Sequence, residues 1–187
     1  YVSQSGLVGK NGIDARPGGR PMYTAAQQNY TLGDDDQLVV DLTFEENGVS
    51  YIKRFTFTRG QYLIDVDYLI DNQSGEDWSA TGMATYLGAA YWSSDDSYTK
   101  VDFSDMDKAA LKETVEGGWV AWLQHYFVSA WIPAPDRPHV YRTSKDSAGN
   151  YIVGYTSPAT VIPAGEQAVI SADFYACPKI QDRLEAI

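Results

Sequence analysis

The sequence predicts a mainly β fold that ends in a C-terminal helix, on three observations. Residues 61–71 alternate strictly: Tyr62, Ile64, Val66, Tyr68 and Ile70 share one face, and Leu63, Asp65, Asp67, Leu69 and Asp71 share the other. That is the period of a half-buried strand. Asn47-Gly48 lies between two strand-like runs, QLVVDLTFE at 37–45 and VSYIKRFTFTR at 49–59, and this dipeptide suits a type I′ hairpin turn, whose two central residues need positive φ. Aromatic residues make up 13% of the 187 residues, with fourteen tyrosines, and aromatic side chains suit a pleated surface.

Taken in order, residues 6–22 (GLVGKNGIDARPGGRPM) read as an ordered loop without periodicity. Strands follow at 37–45, 49–59 and 61–71, with Arg59-Gly60 as a turn and the cluster NQSGED at 72–77 as another. Residues 104–116 (SDMDKAALKETVE) predict a short helix with Ser104 or Asp105 as its N-cap. The segment Gly117 to Pro133 (GGWVAWLQHYFVSAWIP) carries Trp119, Trp122 and Trp131, three of the five tryptophans. Gln124 and His125 break it near the middle, whereas a spanning helix needs about 20 apolar residues in a row. It is therefore sheet core, bent near Gln124-His125, or a binding surface. Pro133, Pro135 and Pro138 predict an extended loop that includes His139. Strands resume at 140–143, 151–156 and 167–176, the last two joined through Pro163-Ala164-Gly165. Pro178 suits a first helical position, and Ile180, Leu184 and Ile187 then fall at i, i+4 and i+7, one apolar stripe. The expected division is a β domain over 1–177 and the start of a helical segment over 178–187.

Charge and composition exclude several functions. The formal net charge is −11, which repels nucleic acid and anionic lipid, both bound through Lys and Arg. One cysteine, Cys177, permits no internal disulfide and reads as a small buried hydrophobe. No signal peptide or membrane-spanning run is visible, and the abrupt strand-like start at Tyr1 reads as a fragment of something longer. With only His125 and His139, metal and triad chemistry are poorly supplied, and HExxH, CxxC, GxSxG, GxGxxG and P-loop patterns are all missing. An EF-hand register starting at Asp105 puts Glu116 at the twelfth position, but Ala109 takes a ligand position and Ala110 sits where glycine is needed. Asp34-Asp35-Asp36 reads as a solvated turn. Asn29-Tyr30-Thr31 and Asn72-Gln73-Ser74 match the glycosylation sequon. No catalytic, cofactor-binding or metal-ligating residue is assigned.

Four motifs converge on one family. GGWVAWLQHYFVSAWIP resembles a hallmark of the large periplasmic domain of the YidC family of bacterial membrane protein insertases. QSGLVGKNGIDARPGGRPMY at 4–23 is similar to that family's SGL-and-Gly-Asp stretch with an Arg-Pro-hydrophobic-Tyr ending. KRFTFTRGQYLIDVDYLIDNQSGE at 53–76 resembles its central hairpin, and GAAYW at 88–92 and PKIQDRL at 178–184 complete the order. The resemblance covers nearly the whole chain. It departs in one place: the family has a longer segment between the positions of Trp78 and Tyr86. The resemblance implies a β-supersandwich, galactose mutarotase-like, with helices at its C-terminal end. It implies a location in the periplasm, as part of a Gram-negative inner-membrane protein, with the transmembrane part of that protein as a partner. It further implies that the insertion and chaperone activity, with or without the Sec translocon, resides in the membrane part. SecF and nascent membrane proteins are then the expected partners.

Two functions follow. In the first, the chain is a non-catalytic interaction domain, not an enzyme, whose helix with Ile180, Leu184 and Ile187 packs on the sheet and couples it to the membrane region. In the second, it is a carbohydrate- or peptide-binding module or a mutarotase-like enzyme. That reading requires an open cleft exposing two or more of Trp92, Trp119, Trp122 and Trp131 beside carboxylates; the default for such aromatics is core.

Overall fold

The computed structural model describes residues 3–86, 90–93, 97–101, 103–123 and 127–178. In chain order the strands are β1 (Ser3–Val8), β2 (Thr24–Ala25), β3 (Gln37–Glu46), β4 (Val49–Thr58), β5 (Leu63–Asn72), β6 (Trp78–Tyr86), β7 (Ala90–Ser93) and β8 (Ser97–Lys100). One helical turn and a half, α1 (Phe103–Lys108), precedes β9 (Lys112–Glu116), β10 (Trp119–Leu123), β11 (Phe127–Pro133), β12 (Pro138–Lys145), β13 (Tyr151–Ile162) and β14 (Gln167–Pro178). They form a five-stranded sheet, β1-β6-β13-β12-β9, and a nine-stranded sheet, β2-β3-β4-β5-β14-β11-β10-β7-β8. The mainly β expectation holds.

The chain divides into two compact units. One comprises residues 6–82 and 158–173. Its frame is the meander β3-β4-β5, in register from Gln37↔Thr58 to Glu46↔Val49 and from Val49↔Asn72 to Phe57↔Ile64. The strict alternation of β5 sends Val66, Tyr68 and Ile70 into the core and leaves the aspartates on the other face. That core joins Leu7, Ile13, Val49, Tyr51, Tyr68, Ile70, Trp78, Ala80 and Ile162. Asn47 (φ 50°) and Gly48 (φ 75°) make the left-handed pair the hairpin turn requires.

The other unit comprises residues 1–5, 83–157 and 174–187. Its aromatic segment is sheet, in two antiparallel strands: β10 pairs β11 from Val120↔Trp131 to Leu123↔Val128, and β10 pairs β7 through Trp119↔Trp92. Gln124 and His125 lie outside the described residues. Val120, Ala121, Ala130 and Trp131 are buried, with Tyr141, Val153 and Tyr155 of β12 and β13.

Several expectations need correction. Gly6 to Val8 are not loop; they continue β1. The 104–116 segment is helical only to Lys108, its second half is β9, and Ser104 and Asp105 lie inside the helix rather than capping it. Alternation of Glu113 and Val115, half-buried and buried, between exposed Lys112, Thr114 and Glu116 is a strand pattern. The proline-rich loop shrinks to residues 134–137, because Pro133 closes β11 and Pro138 opens β12; His139 is a strand residue. Pro178 ends β14 rather than starting a helix, while Ile180, Leu184 and Ile187 lie outside the described residues.

Candidate functional site

A cavity of about 550 Å³ lies in the unit of residues 6–82 and 158–173. Its walls come from the loop Gly9–Pro17, the β3–β4 turn and the segment Ser74–Trp78. The loop is irregular but closely held. Asp14 accepts the Leu7 amide on Oδ2 at 2.8 Å, and the Asp14 amide donates to the Leu7 carbonyl at 3.0 Å. Asn11 clasps β6, accepting the Ser79 amide on Oδ1 and donating its own amide to the Ser79 carbonyl, both at 2.9 Å. Two glycines are required for space: a Cβ on Gly12 would stand 2.4 Å from the Val8 backbone, and one on Gly6 would stand 2.7 Å from Asp14 Cβ.

The back wall is aromatic. The Trp78 indole N–H donates to the Tyr51 hydroxyl at 2.9 Å, with ring centroids 6.1 Å apart. Phe44 follows Tyr51 at 5.9 Å and Tyr23 follows Phe44 at 6.0 Å. Burial pushes the Tyr51 hydroxyl pKa up, and burial with the neighbouring Asp14 pushes that of Tyr23 up further. Neither phenol is an acid or base near neutrality. The rim is charged: Arg16 is paired with Glu46, and Lys10, Glu76 and Asp77 stand around it.

Asn72 ties the cavity to the sheet. Fully buried, it donates from Nδ2 to the carbonyls of Glu76 (2.8 Å), Ile162 (2.9 Å) and Pro163 (3.2 Å), and its Oδ1 accepts from the Ser74 hydroxyl at 2.6 Å. A side chain so placed cannot carry a glycan, so the sequon at Asn72 is structural.

The residues singled out from the sequence are distributed differently. Trp131 is buried, donates Nε1–H to Ser3 Oγ at 2.9 Å and packs 4.8 Å from Phe174. Trp119 and Trp122 are half-buried on β10. They line neither the cavity above nor the grooves beside it. His139 is buried; since a carbonyl only accepts, its Nε2–H donates to Ala134 at 2.7 Å, and the Ser157 hydroxyl donates to Nδ1 at 3.1 Å. Burial lowers its pKa and keeps the ring neutral. Cys177 is buried beside the Pro178 carbonyl. On the surface, Asp107 accepts from Lys145 and Tyr151, both at 2.7 Å, and Phe103 stacks on Tyr151 at 4.6 Å, which pins α1 to β12 and β13.

Tyr51, Trp78, Asn72 and the Asn11–Arg16 loop were not identified as a site from the sequence. No local pattern marks the partnership of Tyr51 with a tryptophan 27 residues away. Chemically, this cavity is a scaffold. Its indole donates to its phenol, and Trp78 and Tyr51 are 2–3% exposed and offer no stacking platform. Arg16 pairs with Glu46 through Nη1, while its Nη2 and the Tyr23 hydroxyl are buried without a hydrogen-bond partner among the described residues.

The sequence model described as YidC periplasmic domain matches residues 1–187. The chain is 55% identical to a protein of Pseudomonas putida strain W619 and 52% identical to one of Pseudomonas fluorescens strain SBW25, both named membrane protein insertase YidC. Each alignment covers 100% of this chain but 37% of the relative, so the chain spans little more than a third of their length. The alignments run 207 positions, so the relatives carry residues that this 187-residue chain lacks inside the matched stretch. Among solved structures, the galactose mutarotase related enzyme of Lactobacillus acidophilus superposes with a TM-score of 0.53 at 9% identity, over 87% of this chain and 73% of that one. A putative aldose 1-epimerase of Escherichia coli K12 gives 0.51 at 10%, over 84% and 69%. At such identities the likeness shows the fold alone, a galactose mutarotase-like β-sandwich.

Proposed function

The chain belongs to the YidC periplasmic domain family, and on that premise we propose that it is a non-catalytic docking platform of an inner-membrane protein insertase. The platform works in the periplasm. It supports the membrane-embedded part of the same protein, which inserts and folds inner-membrane proteins with or without the Sec translocon. SecF and nascent membrane proteins are its partners, and the stripe Ile180, Leu184 and Ile187 couples it to the membrane region. The observation that carries this reading is the family match over residues 1–187. Consistent with it, His139, Tyr51, Trp78 and Asn72 are each consumed in holding the fold.

A carbohydrate-binding or mutarotase-like role is less well supported. Of the tryptophans such a role would expose, Trp131 is 3% exposed, Trp119 and Trp122 are half-buried on β10, and the Trp92 side chain lies outside the described residues.

The test places a photoreactive side chain at exposed Val39, Phe127 and Val161 in the full-length insertase, in membranes. Crosslinks to SecF or to nascent membrane proteins are expected. Failure to trap any component of membrane protein insertion, together with anomer equilibration of galactose by the chain, would overturn it. In the same protein Leu184→Asp is expected to lower insertion of a reporter; full insertion counts against coupling through that stripe.

A further inference from the structure

The outward face of β4, β5 and β14, in the unit of residues 6–82 and 158–173, carries rows of side chains set by the register. Ile52 lies opposite Leu69, and Ser50 opposite Asp71. Gln167 reaches Asp71 at 2.9 Å and Ser171 reaches Asp67 at 2.6 Å. Val169, between them, therefore continues the Ile52–Leu69 row. This apolar row, with Val169 57% exposed, forms the floor of a shallow groove of about 280 Å³. Asp71 bounds it on one side and Asp67 lies beyond it on the other. The groove opens, through shared Ser50 and Asp71, into a second hollow lined by Glu45 and Glu46.

The charge around the row is almost entirely negative. Glu45, Asp65, Asp67 and Asp71 stand at outward positions of β3 and β5 with one cation among the described residues of that face, Arg54, which is already held by Asp41 through two hydrogen bonds of 2.8 and 2.7 Å. Asp71 is held by the neutral donors Gln73 and Gln167; Asp67 accepts from Ser171 and lies opposite Arg54. Burial, and after it the neighbouring Asp65 and Asp67, push the Asp173 carboxyl pKa up.

We propose that this groove docks an extended segment of a partner protein in which one aliphatic residue is flanked, two positions away on each side, by Lys or Arg. Flanking rows on a strand lie two residues from the apolar row, about 6.8 Å. The same spacing separates alternate side chains of an extended ligand, so both cations meet carboxylates while the aliphatic side chain covers Ile52, Leu69 and Val169. The charge selects the partner and the apolar row holds it. This deepens the docking reading and rests on it.

The probe is the synthetic peptide acetyl-Lys-Thr-Val-Thr-Lys-amide, titrated into the ¹⁵N-labelled chain and followed by NMR. Shifts are expected at Ile52, Leu69, Asp71 and Val169, lost as salt is raised. Asp67→Asn and Asp71→Asn should each weaken binding by about threefold, and Val169→Lys should abolish it with the circular dichroism spectrum unchanged. Equal binding of the version with Glu for both Lys, or no shifts in this face at millimolar peptide, overturns the groove. Crosslinks to insertion partners at other positions would leave the docking reading standing if the peptide fails.

Discussion

Trp78 donates its indole N–H to the hydroxyl of Tyr51, 27 residues earlier, at 2.9 Å inside the core of residues 6–82. Tyr51→Phe leaves a buried donor without its acceptor and should cost about 1–3 kcal/mol in urea unfolding. Trp78→Phe loses the same bond from the other side and adds a packing loss. In the double variant the two costs should fall short of additivity by about 1 kcal/mol. Strict additivity would show that the bond does not contribute.

Asn72 serves three carbonyls and one hydroxyl with a single carboxamide. Asn72→Ala should destabilise by about 3 kcal/mol, since several buried polar groups lose partners together. Asn72→Asp should be worse at neutral pH than at pH 4, because a carboxylate would face carbonyl oxygens. Thermal melts at the two pH values check this.

Gly12 is confined by space and not by its backbone, since no positive φ occurs there. Gly12→Ala drives a Cβ into the Val8 main chain, which cannot rotate away as a side chain could. A cost of about 2 kcal/mol corresponds to a Tm lower by about 4–8 °C for a chain of this size. An unchanged Tm would mean that the loop relaxes freely.

His139 gives a pH dependence of definite sign. Burial, with a smaller contribution from Arg137, lowers its folded pKa below the ordinary 6.5. The unfolded chain therefore binds the proton more readily, and this group's contribution is complete above 6.5 and lost as pH falls below it. His139→Gln should flatten that part of a stability–pH curve; an identical slope would place the effect elsewhere.

Lys53 lies over the rings of Phe55 and Tyr68, at 5.3 and 5.1 Å, and burial pushes its pKa down to about 8. A depressed cationic pKa means that stability from this group rises with pH between about 8 and 10.5. Lys53→Met, which keeps the volume without the charge, is expected to raise Tm at pH 7. That advantage should shrink as pH climbs through the same window. Differential scanning calorimetry at pH 7 and 10 decides it; a lower Tm for the variant at pH 7 would mean that Asp14 more than offsets the desolvation.

Much of the fold was legible because it is local. The period of residues 61–71 places β5 and its two faces, and the turn at Asn47-Gly48 places the β3–β4 hairpin. Residues 109–116 were harder: alanines and alternating charges suit a helix as well as an edge strand, and pairing of β9 with β12 from Pro138↔Glu116 to Arg142↔Lys112 decides for the strand. Gly6 to Val8 look like loop in the sequence because glycines and a short apolar run carry no period of their own.

Alternation and turn chemistry are properties of neighbouring residues, so the strand of residues 61–71, its two faces and the Asn47-Gly48 turn can be read directly from the chain. Partnership is different. Asn72 meets the carbonyl of Ile162 across 90 positions, and Trp131 meets Ser3 across 128. No local pattern records such pairs, because they arise only when sheets of fixed twist and register bring distant backbone together. The Trp78–Tyr51 wall and the carboxylates flanking the Ile52–Leu69–Val169 row owe their existence to that assembly.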